Sequence, residues 1–433
     1  MTRRNKWLVW AGIPLLLLAA IWITALLLIP SDEELAARAS AELEKALGVP
    51  VDVGAVHWTL FPLVSATIEN VETRQKQPIT IRKLTAWPDL GALLQRELRV
   101  ERVELDGAVV PQLSLRGLGA SGQKQADQPV RDDIPLARFV FRDLTWISRR
   151  GIPVVYEGEV DFEPMWRPHE LKLRVPGAAT ATNLTFTRIG QEDRWTTLIN
   201  VGGGTGNGEV QLHEDKGGSF RITGQLAPRN LEVASALAAF NRKSAVSGRA
   251  NGSTTLSAKG QTLGEITQSL HTTTRFKMAP ATILRFDLDK AIRTVGKEHA
   301  GQTPLESLTG QLDTQNTPDG LVSTYTGLKA QSGSLSATGD VTLANRTVNA
   351  ELAVDLVDGI VGVPLTIKGP YSDLSFSMPG GAVAGAVVGT AVLPGIGTVI
   401  GARIGAAIGK VFKGAPAPAN KASSPRAKPV SRP

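Results

Sequence analysis

The sequence predicts a mainly β protein with a few short helices, an N-terminal transmembrane helix and a C-terminal glycine-rich helical hairpin. Three observations carry this prediction. Trp7 to Ile29 is a run of 23 residues without a charge. From about residue 50 the chain alternates apolar and polar residues with period two. Residues 381–410 are almost purely apolar, with glycine at every fourth position.

The first run is long enough to be a membrane anchor, since about 20 apolar residues cross a bilayer core as a helix. Arg3, Arg4 and Lys6 precede it without an acid, which keeps the N-terminus inside and exports the body. Trp7 and Trp10 fit the aromatic belt of that interface. A cleaved signal peptide has an apolar region of about 7–15 residues closed by small residues. Leu26-Leu27-Leu28-Ile29-Pro30 supplies no such site, so the anchor is expected to stay uncleaved.

Next comes SDEELAARASAELEKALG. Ser31 with Glu34 reads as a capping box, and acids fill the first turn. Leu35, Ala39, Leu43 and Leu47 share one face, and Gly48 with Pro50 stops the helix. Its apolar face is expected to pack on the following sheet.

The body then reads as many short antiparallel strands. VDVGAVHWTLF, ITIRKLTAW, ELRVERVEL, NLTFTRI, SFRITGQL, TTTRFKM, GSLSATGDVTLAN and TVNAELAVDLV alternate, separated by Gly, Pro, Asn and Asp. Short helices are expected at 88–96, 230–243, 263–270 and 288–296. Alternation alone fits stacked sandwiches, a barrel or one long twisted sheet equally well. A strand every 12–14 residues across 50–378 gives roughly 25 strands and a stack on the order of 120 Å.

Charge narrows the partners. The net charge is +7, but Arg3, Arg4 and Lys6 and the seven basic residues from Arg403 to Arg432 supply ten positives. The remainder holds 37 basic against 40 acidic residues. That body has no basic stripe to follow a phosphate backbone, so nucleic acid is not an expected partner. Cysteine is absent, which excludes disulfides, thiolate metal sites and a cysteine nucleophile.

Catalytic motifs fare no better. His57, His169, His213, His271 and His299 stand far apart, and His213-Glu214-Asp215 reads as a polar turn rather than a metal site. No Gly-x-Ser-x-Gly elbow or phosphate-binding Walker loop occurs. Gly395 to Gly401 mimics a dinucleotide fingerprint outside any βαβ unit. GGGTGNG, Gly202 to Gly208, reads as a flexible hairpin tip. No catalytic set, cofactor or metal is expected, and the role expected is not enzymatic.

The glycine comb comprises Gly381, Gly385 and Gly389, then Gly397, Gly401, Gly405 and Gly409, split by Pro394-Gly395. Each glycine costs a water-exposed helix about 1 kcal/mol against alanine. Small residues four apart instead let helices approach closely in lipid or against protein. Each half, about 13 residues, is too short to cross a bilayer. A membrane-associated hairpin, a single kinked span and a protein-packing segment remain open, with self-association through the comb a further use. The tail is rich in Pro, Ala and Lys and is expected to be disordered.

Several stretches resemble the AsmA family of envelope proteins. One runs from Ile29 to Glu72: Pro, capped helix, Gly-x-Pro, strand, then an aromatic–Pro break. Another is LGALLQRELRVERVELDGAVV, Leu90 to Val110. The longest combines SGRANGSTTLSAKGQTLGEITQSLHTTTRFKMAPATILRFDLDKAI, TPLESLTGQL, GSLSATGDVTLANRTVNAELAV and VPLTIKGPYSDLSFS, in the family's order. Together they cover about half the chain. The glycine-containing turn of the family is replaced by Ala281-Thr282-Ile283-Leu284-Arg285 before Phe286-Asp287-Leu288, residues 120–250 carry no resemblance, and the chain is short for the group.

The resemblance implies an elongated, curled, groove-like antiparallel sheet. It implies anchoring in a bacterial inner membrane with the body in the periplasm, and handling of phospholipid in transport between membranes and outer-membrane homeostasis. The alternative is a non-enzymatic scaffold with a closed β core that positions envelope proteins. The expected organisation is a basic N-terminus (1–6), anchor (7–29), membrane-proximal region (30–120), middle β region (121–250), C-terminal β region (251–379), glycine-rich segment (380–414) and basic tail (415–433).

Overall fold

The computed structural model describes residues 32–377, except 60, 62, 96, 98, 119–134, 164–166, 216–217, 295–296, 334, 357–359 and 372–373. The predicted anchor 7–29, the glycine comb from Gly381 to Gly409 and the tail lie outside the described residues. No described helix is long and apolar enough to cross a membrane.

The described chain is mainly β and forms one open, curled sheet of 21 strands, against the roughly 25 expected from turn spacing. Helix α1 (Asp32–Leu47) leads into β1 (Val51–Thr59), β2 (Ser65–Thr73) and β3 (Thr80–Pro88). A one-turn helix, α2 (Leu90–Leu94), precedes β4 (Val100–Pro111). Then follow β5 (Leu136–Ile147), β6 (Pro153–Glu163), β7 (Arg167–Arg174), β8 (Asn183–Arg188), β9 (Arg194–Val201), β10 (Gly204–Asp215) and β11 (Ser219–Arg229). The rest comprises β12 (Leu231–Glu232), α3 (Val233–Ala238), β13 (Val246–Gly260), α4 (Leu263–Ser269), β14 (His271–Ile283), α5 (Leu288–Arg293), β15 (Thr303–Leu305), β16 (Ser307–Thr317), β17 (Gly320–Gln331), β18 (Leu335–Ala344), β19 (Thr347–Leu356), β20 (Ile360–Pro370) and β21 (Ser375–Ser377).

Each strand pairs with its successor in sequence, except that β12 and β15 lie beside the ends of β13 and β14. Nineteen strands therefore stand in series, about 85 Å along the hydrogen-bond direction at ~4.8 Å per strand. β1 pairs with β2 and β21 with β20, so the sheet has two ends. Every pairing in the series is antiparallel but one. β4 and β5 run parallel, which corrects the all-antiparallel expectation. Parallel neighbours need a long return, and residues 112–135 supply it. A 3₁₀ turn at Gln112–Gly117 begins that return.

Local chemistry fixes the turns. Gly202 and Gly203 both adopt positive φ, 57° and 70°, giving a tight two-residue hairpin between β9 and β10. The glycine stretch is thus only partly a tip: Gly204 to Gly208 are strand. Likewise His213-Glu214-Asp215 closes β10 instead of forming a turn, and its Asp215 pairs with Arg221 at 2.5 Å and Lys259 at 3.2 Å. The short helices fall inside their expected windows. Thr262 caps α4, while Asp287 caps α5 by accepting from the Lys290 amide at 2.9 Å.

A kink crosses the first five strands. Asn70, Gly107 and Asp143 hold left-handed conformations (φ 56°, 69° and 52°) in β2, β4 and β5. Asn, Asp and Gly tolerate this region best. Residues three apart normally face opposite sides of a strand. Across this line they share a side: Ile68 packs with Val71, Leu84 with Ile81, Leu105 with Ala108, and Phe141 with Leu144. The kink thus re-phases the alternation and keeps one face apolar. Arg82 braces the other face, 2.6 Å from Asp106 and 3.6 Å from Asp143.

The apolar face is covered at its two ends. Leu43 and Leu47 of α1 pack with Val49, Val51 and Val71. At the far end, the segment between β14 and β15 places α5 over the sheet. Leu288, Ala291 and Ile292 are at most 2% exposed among Met278, Leu308, Val354 and Leu365. Phe286, His299 and Phe376 stack beside them, with Phe286 and Phe376 centroids 5.3 Å apart. Replacing Ile292 by Ala is expected to cost about 2–5 kcal/mol, measured as a lower urea midpoint, because a fully packed site leaves a cavity.

Candidate functional site

The ladder register places one residue from each of the nineteen serial strands in a single cross-strand row. It runs Trp58, Ala66, Ala86, Val103, Phe139, Val160, Leu171, Phe186, Thr197, Gly208, Leu226, Thr254, Thr274, Leu312, Tyr325, Val341, Ala350, Ile367, Phe376. No member is charged. A second row beside it, from Val56 through Ile68, Leu84, Leu105, Phe141, Gly158, Leu173, Leu184 and Ile199 to Gly206 and Pro228, is also uncharged.

The sequence neighbours of the first row form its opposite. From β4 to β21 they read Arg102, Arg138, Asp161, Glu170, Thr187, Thr196, Glu209, Gln225, Thr255, Thr273, Asp313, Thr324, Thr342, Asn349, Lys368, Ser375. None is aliphatic. Adjacent residues of a strand point to opposite faces, so the sheet is apolar on one side and polar on the other along its length.

The apolar face is uneven in cover. Ala350 and Ile367 are buried in the far cluster, and Phe139 packs in a cluster with Leu105 and Phe141. Between them Leu171, Leu184, Phe186, Ile199, Val210, Ile222 and Leu226 are only half-buried and belong to no buried cluster. Among the described residues, the substantial contacts of β6–β11 are with neighbouring strands, not with a helix or a second layer. The curl itself shields this stretch. Thr197 is 4% exposed, whereas its neighbour Leu198, on the polar face, is 44% exposed.

Long-range contacts hold that curl. The Arg149 Nη1, beyond β5, donates to the carbonyl of Thr317 at 2.5 Å, at the end of β16, and to that of Pro318 at 3.2 Å. The Asn241 Nδ2 donates to the carbonyl of Pro153 at 2.7 Å, at the start of β6. Helix α4 also meets the 3₁₀ turn that follows β4.

Electrostatics separates the faces again. Burial pushes the phenols of Tyr156 and Tyr325 above their ordinary range, and both lie on the apolar side. On the polar side, the hydrogen bond from Arg138 holds Glu159 low against the opposing effect of desolvation, with a lesser contribution from Lys172. Arg221 and Lys259 do the same for Asp215, and Arg74 for Asp52.

Two shallow clefts, about 380 Å³ and 350 Å³, open on the polar face of β1–β5. Several of their charged side chains are already ion-paired, Arg82 with Asp106 and Lys83 with Glu69 among them. The histidines remain apart. His57 meets Asp32 at 3.1 Å, His169 meets Glu163 at 3.1 Å and His271 meets Asp313 at 3.4 Å. Among the described residues no three His, Asp or Glu side chains gather as a metal site. Arg188, fully buried, is satisfied by Asp193 at 2.7 Å, Glu163 at 3.3 Å and backbone carbonyls, which makes it a structural staple.

Sequence reasoning found the alternation but not the rows, because pairing register is set by turns and bulges far apart in the chain. The predicted site residues Trp7, Trp10 and the seven comb glycines lie outside the described residues. No family model, curated protein or solved structure matches this chain.

Two outcomes follow. Thr197 Oγ1, on the uncharged row, is buried without a hydrogen-bond partner. Thr197→Val is expected to raise thermal stability by roughly 1 kcal/mol, since an unsatisfied hydroxyl is removed at constant shape. Asp52, Glu159 and Asp215 have depressed values in the folded state, so their contribution is complete above the ordinary carboxylate range. Melting temperature is expected to fall as pH drops below about 4, and to fall less steeply in Asp215→Asn.

Proposed function

We propose that this chain is a membrane-anchored lipid-handling protein of the bacterial envelope. Phospholipid acyl chains lie along the uncharged row, and head groups stay in water at the sheet's long edge. The observation that carries this reading is the unbroken row together with the uncovered stretch from β7 to β11. A half-buried aliphatic surface of that length is costly to leave in contact with water, while each acyl methylene it shelters is worth about 0.8 kcal/mol. The resemblance of residues 29–72, 90–110 and most of 247–377 to AsmA proteins supports the same reading, as does the uncharged run from Trp7 to Ile29. The role is then intermembrane phospholipid transport and outer-membrane homeostasis, with the bilayer as partner and no chemical step.

The closed-core scaffold is the second reading. The sealed cluster under α5 favours it at the far end, and the half-buried residues of β7–β11 oppose it. The far end is sealed by α5, whereas α1 covers only the Val51–Val71 portion of β1 and β2 and leaves Trp58 half exposed, so the lipid track is loaded at the Trp58 side of the anchored end.

Neighbouring positions on opposite faces make the test internal. A photoreactive phenylalanine analogue replaces Phe186 or Leu226 on the row, or Thr187 or Gln225 behind it, in cells fed radiolabelled phospholipid precursor. Illumination is expected to transfer lipid label to the chain from 186 and 226 and not from 187 and 225. Protein adducts without lipid label at 186 and 226 favour the scaffold. Equal labelling at all four contradicts a lipid track.

A further inference from the structure

Five of the nine exposed large apolar side chains among the described residues sit on one stretch of one edge. Trp58, Phe61 and Leu63 flank or form the β1–β2 connection and are 50%, 87% and 59% exposed. Leu90 and Leu93 of α2, in the β3–β4 connection, are 46% and 47% exposed. Ala66 pairs with Ala86 and Ala86 with Val103, so both connections emerge from the same long edge.

The chain outside the structure says what lies against this edge. The uncharged run ends at Ile29, three residues before Asp32, a span of about 10 Å at most. The Asp32 carboxylate is 3.1 Å from His57 Nδ1, one residue before Trp58. The uncharged run, read as the anchor, thus ends within three residues of a side chain bonded at the root of the exposed loop. Trp58 is also the first member of the apolar row.

We propose that the β1–β2 connection and α2 form a membrane-insertion rim. The rim seats in the outer half of the anchoring bilayer beside the transmembrane helix, so that the row opens directly into lipid. Tryptophan suits the head-group level, and phenylalanine and leucine suit the acyl boundary beneath it. Lipid then enters the track at Trp58 without crossing water. The inference rests on the membrane-anchored, lipid-handling reading and adds the place of loading to it.

The chain has no natural cysteine, so single labels report cleanly. Full-length Phe61→Cys, Leu93→Cys and Asp319→Cys, each carrying an environment-sensitive fluorophore, are reconstituted into vesicles of zwitterionic and anionic phospholipid. Position 319 lies in the β16–β17 turn, more than ten strands along the sheet. Vesicles carry quencher in the upper acyl chain, and flotation is read on the same samples. Labels at 61 and 93 are expected to be quenched several-fold more than the label at 319. A chain that floats with all three labels equally unquenched overturns the rim and leaves the anchor standing. A chain that does not float overturns the membrane reading, and the rim with it.

A double variant, Phe61→Asp with Leu63→Asp, extends the test. Both side chains are exposed, so its melting temperature and flotation are expected to be unchanged. Lipid cross-linking from position 226 is expected to fall several-fold. Undiminished cross-linking at 226 overturns loading through this edge.

Discussion

The hydrogen-bond register of a single-layer sheet is the constraint on which the rest of this structure depends. Each strand fixes the phase of the next, and a slip of one residue exchanges the two faces for every strand beyond it. Along the tracked row the phase is kept through the sixteen serial strands from β4 to β21. Arg102 and Val103 begin a contrast that Ser375 and Phe376 still keep. Bulges between β5 and β6, β16 and β17, and β17 and β18 shift the register without breaking it. The kink through Asn70, Gly107 and Asp143 does the same for the first strands by inverting alternation where the apolar residues invert theirs.

A sheet of this kind has an apolar face and no partner sheet to bury it. The protein answers in two ways. At each end it uses its own residues: α1 over β1 and β2, and α5 with the Phe286–His299–Phe376 stack near the last strands. In the middle it uses curvature, held by Arg149 and Asn241, and leaves Leu171, Phe186 and Leu226 half-buried. The middle lacks the close packing that gives a core its stability. A ligand with flexible hydrocarbon and no demand for directed hydrogen bonds fits such a surface, which is why a lipid is proposed there.

Much of this was legible in the sequence, and the limits were physical. Period-two alternation revealed the β class, and capping residues such as Thr262 and Asp287 marked the short helices within a few positions. The choice among sandwich, barrel and single sheet was not legible, because all three need the same alternation. The parallel β4–β5 step was hidden in the long return after Pro111, where no strand pattern announces direction. Gly204 to Gly208 read as a tip because glycine weakens strand signals. In the sheet Gly208 is strand, and a Cβ there would come within 1.8 Å of the Gln225 carbonyl oxygen. The exposed edge was only partly legible: Phe61 with Pro62 marked a break after the first strand, but only folding brings Leu90 and Leu93 to the same side.

The central claim is that hydrocarbon from outside the chain fills the uncovered middle of the apolar face. An experimental density map of the full-length protein, isolated from cells without detergent so that any native lipid is retained, tests this most directly. The account predicts rod-shaped, chain-like density lying across Leu171, Phe186 and Leu226 and continuing toward Trp58. A face that is bare there, or covered by the protein's own residues or a partner's, would contradict it.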